Sequence, residues 1–156
     1  MLLYEIPGRD NIEIENVVLD YNGTIAIDGK LIDGAKELIN ILAEHVDIYI
    51  LTADTYGTVE KECGDINGEI MTFPKENAGE SKKKIVEKLG GQRTICVGNG
   101  YNDIPMFEEA IISIAVIEGE GVSGKLLSNA SIVVRNIIEG INIILNKNMI
   151  KATLRN

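Results

Sequence analysis

Two cysteines, Cys63 and Cys96, are too few and too irregularly placed for a disulfide framework or a zinc site. Cys96 falls inside an apolar run and reads as a small buried hydrophobe. Aromatic residues make up only 4% of the chain, which leaves no evident stacking platform for a base or a sugar. Basic charge is scarce as well: 15 Lys and Arg stand against 24 Asp and Glu, for a net charge of −9. That balance disfavours nucleic acid or an anionic membrane surface as a partner, since neither would be neutralised by such a chain. The one basic cluster, Lys82-Lys83-Lys84, lies among Glu76, Glu80 and Glu87 and makes no stripe. No apolar run approaches the ~18 residues of a membrane span; the longest, Ala110 to Ile117, is broken by Ser113. The segment Met1-Leu2-Leu3-Tyr4-Glu5 has neither the basic region nor the long apolar core of a secretory signal. A cytoplasmic location is the expectation. Internal repeats, low-complexity segments and linkers are also missing, so residues 1–156 are expected to form one domain with a real core.

What the chain has is a regular alternation of short apolar runs and segments of helical period. Leu2 to Ile6 and Asn11 to Ile14 flank Pro7-Gly8-Arg9-Asp10 and predict a small N-terminal β-hairpin, an extension over residues 1–15. Asn16 to Asp20 is a continuous apolar strand of the kind buried on both faces. After a turn at Asp28-Gly29-Lys30, a helix is expected from about Asp33 to Glu44, with Asp33 as N-cap. Val46 to Leu51 is the next buried strand, ending in a polar turn at Thr52-Ala53-Asp54-Thr55. A short helix at Gly57 to Cys63, a strand at Glu69 to Phe73, a loop at Pro74 to Gly79 and a helix at Ser81 to Leu89 follow. Beyond them the pattern gives strands at Thr94 to Val97, Ile111 to Val116 and Ser131 to Val134. The helices between and after these strands fall at Ile104 to Glu109, Gly121 to Leu127 and Ile137 to Leu145. Alternating strands and helices imply right-handed βαβ units and a doubly wound parallel sheet, an α/β fold.

Ligands of such sheets bind at the carboxyl ends of the strands. Asp20, Thr52 and Asp103 fall there, with Lys82 just beyond a loop. An aspartate at a strand end, carried on the tight turn Asp20-Tyr21-Asn22-Gly23-Thr24, is placed to act as a nucleophile. A hydroxyl and an ammonium nearby suit the oxygens of a transferring phosphoryl group, and two carboxylates suit a magnesium ion.

In these residues the chain resembles the haloacid dehalogenase (HAD) superfamily, and within it the small soluble proteins similar to the phosphorylation domain of P-type ATPases. Asp20-Tyr21-Asn22-Gly23-Thr24 resembles the first family motif, Leu51-Thr52-Ala53-Asp54 the second, Lys82 the third, and Val97-Gly98-Asn99-Gly100-Tyr101-Asn102-Asp103 the fourth. The motifs run in family order between about residues 16 and 134. The resemblance implies a HAD-like Rossmann-type three-layer fold with Asp20 as nucleophile and Thr52 and Lys82 beside it as catalytic groups. It further implies Asn22, Gly23, Thr24, Ala53 and Asn102 around the phosphoryl group. Mg2+ would then be held by Asp20, the Asn22 backbone carbonyl, Asn99 and Asp103.

Two positions depart from the family pattern. Asn22 stands where phosphatases of the family carry the aspartate that protonates the leaving group and then activates water. Asn99 stands where the fourth motif has a metal-ligating aspartate, so weaker magnesium binding is expected. P-type ATPases also lack the acid/base aspartate, but only 27 residues, 25 to 51, separate Thr24 from Thr52 here, too few for their nucleotide-binding domain. The 29 residues from 53 to 81 are likewise too few for a cap domain. An open, capless site suits a large substrate or closure by a neighbouring subunit, and a homo-oligomer is expected by analogy only.

The expected function is therefore Mg2+-dependent phosphoryl transfer through phospho-Asp20, slow in hydrolysis, on a phosphorylated small molecule or phosphoprotein. The alternative is a non-catalytic, phosphate-binding or regulatory member of the same fold. A receiver-type signalling domain also uses Asp, Thr and Lys, but it phosphorylates the aspartate ending its third strand and has no counterpart of the Gly98 to Asp103 motif.

Overall fold

The computed structural model describes residues 1–54 and 57–156. Thr55, the last residue of the expected polar turn, lies outside the described residues.

The chain opens with an antiparallel pair, β1 (Leu2–Tyr4) and β2 (Ile12–Ile14), in the register Leu2 opposite Ile14. Next come β3 (Asn16–Asp20), a two-stranded ribbon of β4 (Ala26–Ile27) and β5 (Lys30–Leu31), and α1 (Ala35–Leu42). They are followed by β6 (Asp47–Thr52), α2 (Thr58–Glu62), β7 (Glu69–Thr72) and α3 (Ala78–Leu89). The second half holds β8 (Thr94–Gly98), α4 (Ile104–Glu109), β9 (Ile112–Val116), α5 (Gly124–Leu127) and β10 (Ile132–Val134). Two helices close the chain, α6 (Ile137–Leu145) and α7 (Lys147–Leu154).

Six strands form one parallel sheet in the order β10-β9-β8-β3-β6-β7. The chain starts in the middle at β3, winds outward through β6 and β7, then returns to β8 on the other side of β3 and winds outward again. The direction of winding reverses between β3 and β8, and that switch point is where an open sheet leaves a crevice at its carboxyl edge. All five residues of β3, β8 and β9 are buried, because helices cover both faces. The alternation of side chains divides the core accordingly. Val17, Leu19, Ile50, Ile95 and Val97 point to the layer containing α1, α2 and α6, whereas Val18, Leu51 and Cys96 point to the layer of α3, α4 and α5.

The expected doubly wound α/β fold is the one observed, and several boundaries move. The N-terminal hairpin packs into the main core: Leu2, Tyr4, Ile12 and Ile14 are buried with the α1/α6 layer, and the Tyr4 hydroxyl donates to the Ile144 carbonyl at 2.6 Å. Helix α1 starts at Ala35, with Gly34 in the N-cap position at φ 85°, so the expected cap at Asp33 is displaced by one residue. Asp28 (φ 50°) and Gly29 (φ 79°) turn the ribbon β4–β5, where only a turn was expected. Two consecutive left-handed residues make the tight reversal that favours Asp-Gly. Helix α3 begins at Ala78, three residues ahead of the expected Ser81. Helix α7 is an addition: the Asn146 side chain accepts from the Asn148 and Met149 N–H groups at its start, and Ile150 anchors it in the core.

Candidate active site

Asp20, Thr52 and Gly98 are the last residues of three adjacent strands, β3, β6 and β8, so backbone pairing alone brings the first, second and fourth motifs to one edge. After Asp20 the chain folds back tightly. The Tyr21 carbonyl accepts N–H bonds from Thr24, Ile25 and Ala26, and the Gly23 N–H donates to the Ala26 carbonyl at 2.7 Å. Gly23 has φ 83°, and a Cβ there would stand 2.3 Å from Asn99 Nδ2. Glycine is thus required twice over, by backbone conformation and by the close approach of the fourth-motif loop.

Asp20 is almost closed off from solvent, at 9% exposure. Its Oδ1 accepts from Lys82 Nζ at 2.9 Å and its Oδ2 from the Thr24 hydroxyl at 3.1 Å. Lys82, at 3% exposure, stands in the first turns of α3 and spends all three of its protons: on Asp20, on Asn102 Oδ1 at 3.0 Å and on Asp103 Oδ1 at 2.7 Å. The Phe73 ring lies 5.5 Å from the ammonium. Asp103 is fully buried; its second oxygen accepts the Asn99 and Gly100 N–H groups at 3.1 and 3.0 Å, which ties the fourth-motif loop to the lysine.

One ammonium between two buried carboxylates leaves a net charge of −1. Burial and the neighbouring Asp103 charge push the Asp20 carboxyl up to about 7, against the opposing pull of Lys82 and the Thr24 hydroxyl. For Lys82, burial works against the ammonium, but Asp20 and Asp103 outweigh it and raise its pKa. The cluster is short of one positive charge.

The oxygens around Asp20 are suited to supply a place for that charge. The Thr24 hydroxyl lies within 3.2 Å of both Asp20 Oδ2 and Asn99 Oδ1, so one proton serves three converging oxygens. Asn99 is held in this orientation by its amide N–H bond to the Gly121 carbonyl at 3.1 Å. A surplus of hard oxygen lone pairs beside an under-neutralised carboxylate fits Mg2+, which is commonly bound through one or two carboxylates with further ligands from water and substrate.

Asp20, Asn22, Thr52 and Ala53 line a cleft of about 390 Å³ together with Lys82, Asn99 and Asn102. Thr52 Oγ1 accepts the Asp54 N–H at 3.0 Å. Three of the residues singled out from sequence, Gly23, Thr24 and Asp103, are buried behind the cleft wall, where they shape the groups that do face it. Lys83 turns away toward Glu87 and Glu109, which separates the site lysine from its neighbours. Among the lining residues that escaped the sequence reading are Phe73 and Lys75. Both follow the carboxyl end of β7, so the strand-end rule that picked out Asp20 and Thr52 applies to them as well.

Fold and site together define a class: a doubly wound α/β protein whose central strand ends on an aspartate paired with a buried lysine. The chain belongs to the haloacid dehalogenase-like hydrolases, whose family model matches residues 3–110. It is 37% identical over 79 residues to an uncharacterized protein of Methanocaldococcus jannaschii, a match covering 48% of this chain and 85% of that one. A soluble P-type ATPase-like phosphatase of the same organism is 32% identical over 124 residues, 77% of this chain but only 45% of the phosphatase. Among solved structures, the cobalt-bound deoxy-D-mannose-octulosonate 8-phosphate phosphatase from Haemophilus influenzae shares the fold, with a TM-score of 0.71 over 92% of this chain and 94% of that one, at 14% identity. The family expected from the four motifs is thereby shown. Among the described residues no helix is long and apolar enough to cross a membrane.

Proposed function

We propose that the protein is a Mg2+-dependent phosphohydrolase or phosphotransferase that works through an aspartyl phosphate on Asp20 and hydrolyses it slowly. The observation that carries this reading is the buried pair of Asp20 and Lys82, 2.9 Å apart, at the end of the central strand and opening on a cleft.

An Asp20 carboxylate oxygen attacks phosphorus, and the bond from phosphorus to the leaving-group oxygen breaks with its electron pair going to that oxygen. Lys82 and the Thr52 hydroxyl bind the phosphoryl oxygens, where charge develops. For Lys82 the bond to Asn102, its neutral and exposed partner, is the one a phosphoryl oxygen replaces at least cost. Water then attacks the phosphorus of the acyl phosphate, and the electron pair of the broken bond restores the Asp20 carboxylate. Asp103, expected from the family resemblance as a fourth metal ligand, is fully buried with both oxygens engaged by Lys82 and by the Asn99 and Gly100 N–H groups, so we assign it instead as a positioning residue that keeps Lys82 aimed at Asp20. Asp20, Asn99 and the Asn22 carbonyl are the residues that would hold Mg2+, whose positive charge offsets that of the phosphoryl oxygens.

Asn22 lines the cleft on the exposed side of the turn, where an acid would protonate the leaving group. An amide neither gives nor takes that proton near neutral pH. The missing acid–base help corresponds to about 10²–10⁴ in rate, or roughly 3–5 kcal/mol. Substrates whose leaving group needs no proton suit such a site, and the substrate is a phosphorylated small molecule or phosphoprotein. Between Thr24 and Thr52 the chain builds only β4, β5, α1 and β6, so no inserted domain closes the cleft from that side.

Acetyl phosphate with Mg2+ should leave a phosphoryl adduct on Asp20 detectable by mass spectrometry. Asn22→Asp should raise turnover of acetyl phosphate and of phosphate monoesters by about 10²–10⁴. Absence of both adduct and turnover over a panel of phosphate esters sinks the proposal.

A further inference from the structure

We infer that Lys75 is a specificity-determining residue of this cleft, and that the substrate carries a second anionic group, a carboxylate or a phosphate, on the leaving-group side of its phosphoryl group. The inference rests on the phosphoryl-transfer reading of the Asp20 site.

Four observations converge on it. First, Lys75 lines the same cleft as Asp20, Thr52 and Lys82, and unlike Lys82 it is exposed. Second, no hydrogen bond or ion pair engages its ammonium among the described residues, although acidic side chains outnumber basic ones by 24 to 15. Lys82, by contrast, is saturated by Asp20, Asn102 and Asp103. Third, the loop presents Lys75 from defined backbone: Pro74 fixes its own φ at the exit of β7, and Asn77 adopts φ 57° as α3 begins. Fourth, a cleft of about 390 Å³ has room for on the order of ten waters at ~30 Å³ each, well beyond what a phosphoryl group fills. Its other polar lining, Asn22, Asn99 and Asn102, is neutral amide.

The electrostatics give Lys75 its role. The buried cluster beneath the cleft carries two carboxylates and one ammonium, and a phosphoryl dianion entering it meets a net negative charge. A substrate with a further negative group gains nothing from Lys82, which is spent, and nothing from amide side chains beyond hydrogen bonding. Lys75 is the lining cation left to pair with it. A substrate without such a group leaves Lys75 in solvent and binds through its phosphoryl group alone.

Calorimetric titration with three unreactive probes tests this in the presence of Mg2+: methylphosphonate, phosphonoacetate and methylenediphosphonate. They share one phosphonate and differ in whether a carboxylate, a second phosphonate or nothing anionic is attached. The intact protein should bind at least one of the two bifunctional probes about tenfold more tightly than methylphosphonate, the scale of a charge-assisted pair. The tighter of the two identifies the second group as carboxylate or phosphate. Lys75→Ala should abolish that preference and leave methylphosphonate binding within about twofold. Lys83→Ala, which makes the same change in net charge away from the cleft, should keep it. Equal binding of all three probes, binding of none, or equal losses in both variants overturns the inference. An acetyl phosphate adduct on Asp20 without any probe preference defeats only the role of Lys75, whereas absence of the adduct defeats the reading beneath it.

Discussion

Two clefts open at opposite ends of the sheet, and the larger is the less informative. The one at the amino end, about 610 Å³, is lined by Arg9, Asp10, Glu13 and Arg93, all at the surface, where Arg9 bonds the Leu154 carbonyl and Arg93 bonds Glu13 at 2.9 Å and also Glu15. Each partner is 44–49% exposed, so water solvates it whether or not the pair forms. The Asp20 cleft is smaller, at about 390 Å³, yet it holds a lysine and two carboxylates that are nearly or wholly buried and do not balance. Burying unbalanced charge is costly, and a fold retains it where a ligand supplies the missing charge. The contrast teaches that buried imbalance, more than volume, marks the working end of this sheet.

The strongest way to sharpen that contrast is Asp20→Asn. The variant should lose the phosphoryl adduct and with it at least about 10⁴ in turnover, as expected for removal of a nucleophile. It should also be more stable than the native protein at pH 8 without Mg2+, because Lys82 then faces a single carboxylate. The pH dependence follows from the same cause. With the Asp20 pKa raised to about 7 from 3.8, the native state holds a proton that the unfolded chain has released between those values. Stability therefore falls as pH rises through that window, with a slope approaching about 1.4 kcal/mol per pH unit, and this component levels off above it. Urea titrations across the window should show the slope in the native protein and its loss in Asp20→Asn. Equal slopes would mean that Asp20 is not the group under strain.

Lys82→Met comes next. It removes the cation that lies between Asp20 and Asp103 while keeping the apolar stem against Phe73. Two buried carboxylates without a countercharge should cost about 3–5 kcal/mol, read as a fall in Tm of about 10 °C for a chain of this size. Part of that loss should return as pH falls below 7, where Asp20 takes up a proton. A loss independent of pH would place it in packing.

How far the sequence revealed this end of the molecule follows from where each residue stands. Asp20, Thr52 and Asn99 were legible because each ends or follows a buried apolar strand, and parallel pairing must bring such ends together. Lys82 was legible by motif spacing, although only the turn of α3 separates it from Lys83 and Lys84. The distinct parts of Thr24 and Asp103 were not legible, since facing the cleft or lying behind it depends on packing between segments distant in sequence, such as Thr24 with Asn99 and Asp20 with Asp103. Lys75 was hidden by an ordinary loop composition. Elsewhere the losses were local: β4 and β5 are two residues each, too short for any period, and α7 buries only Ile150 of its eight residues, so its apolar stripe is faint.

The smallest effect should come from the amino-end cleft, and it bears directly on the comparison. Arg93→Ala removes both exposed ion pairs at once, to Glu13 and Glu15, and frees the backbone neighbourhood where the Glu15 N–H donates to the Arg93 carbonyl at 2.9 Å without breaking that bond. Exposed pairs of this kind are worth about 0–1 kcal/mol each and are screened by salt. The variant should lose no more than about 1 kcal/mol in urea unfolding at low ionic strength, with the difference shrinking in high salt. Its acetyl phosphate adduct and turnover should match the native protein. If instead Arg93→Ala impaired adduct formation as Asp20→Asn does, buried imbalance would no longer separate the two ends, and the larger cleft would have to be counted as part of the working machinery.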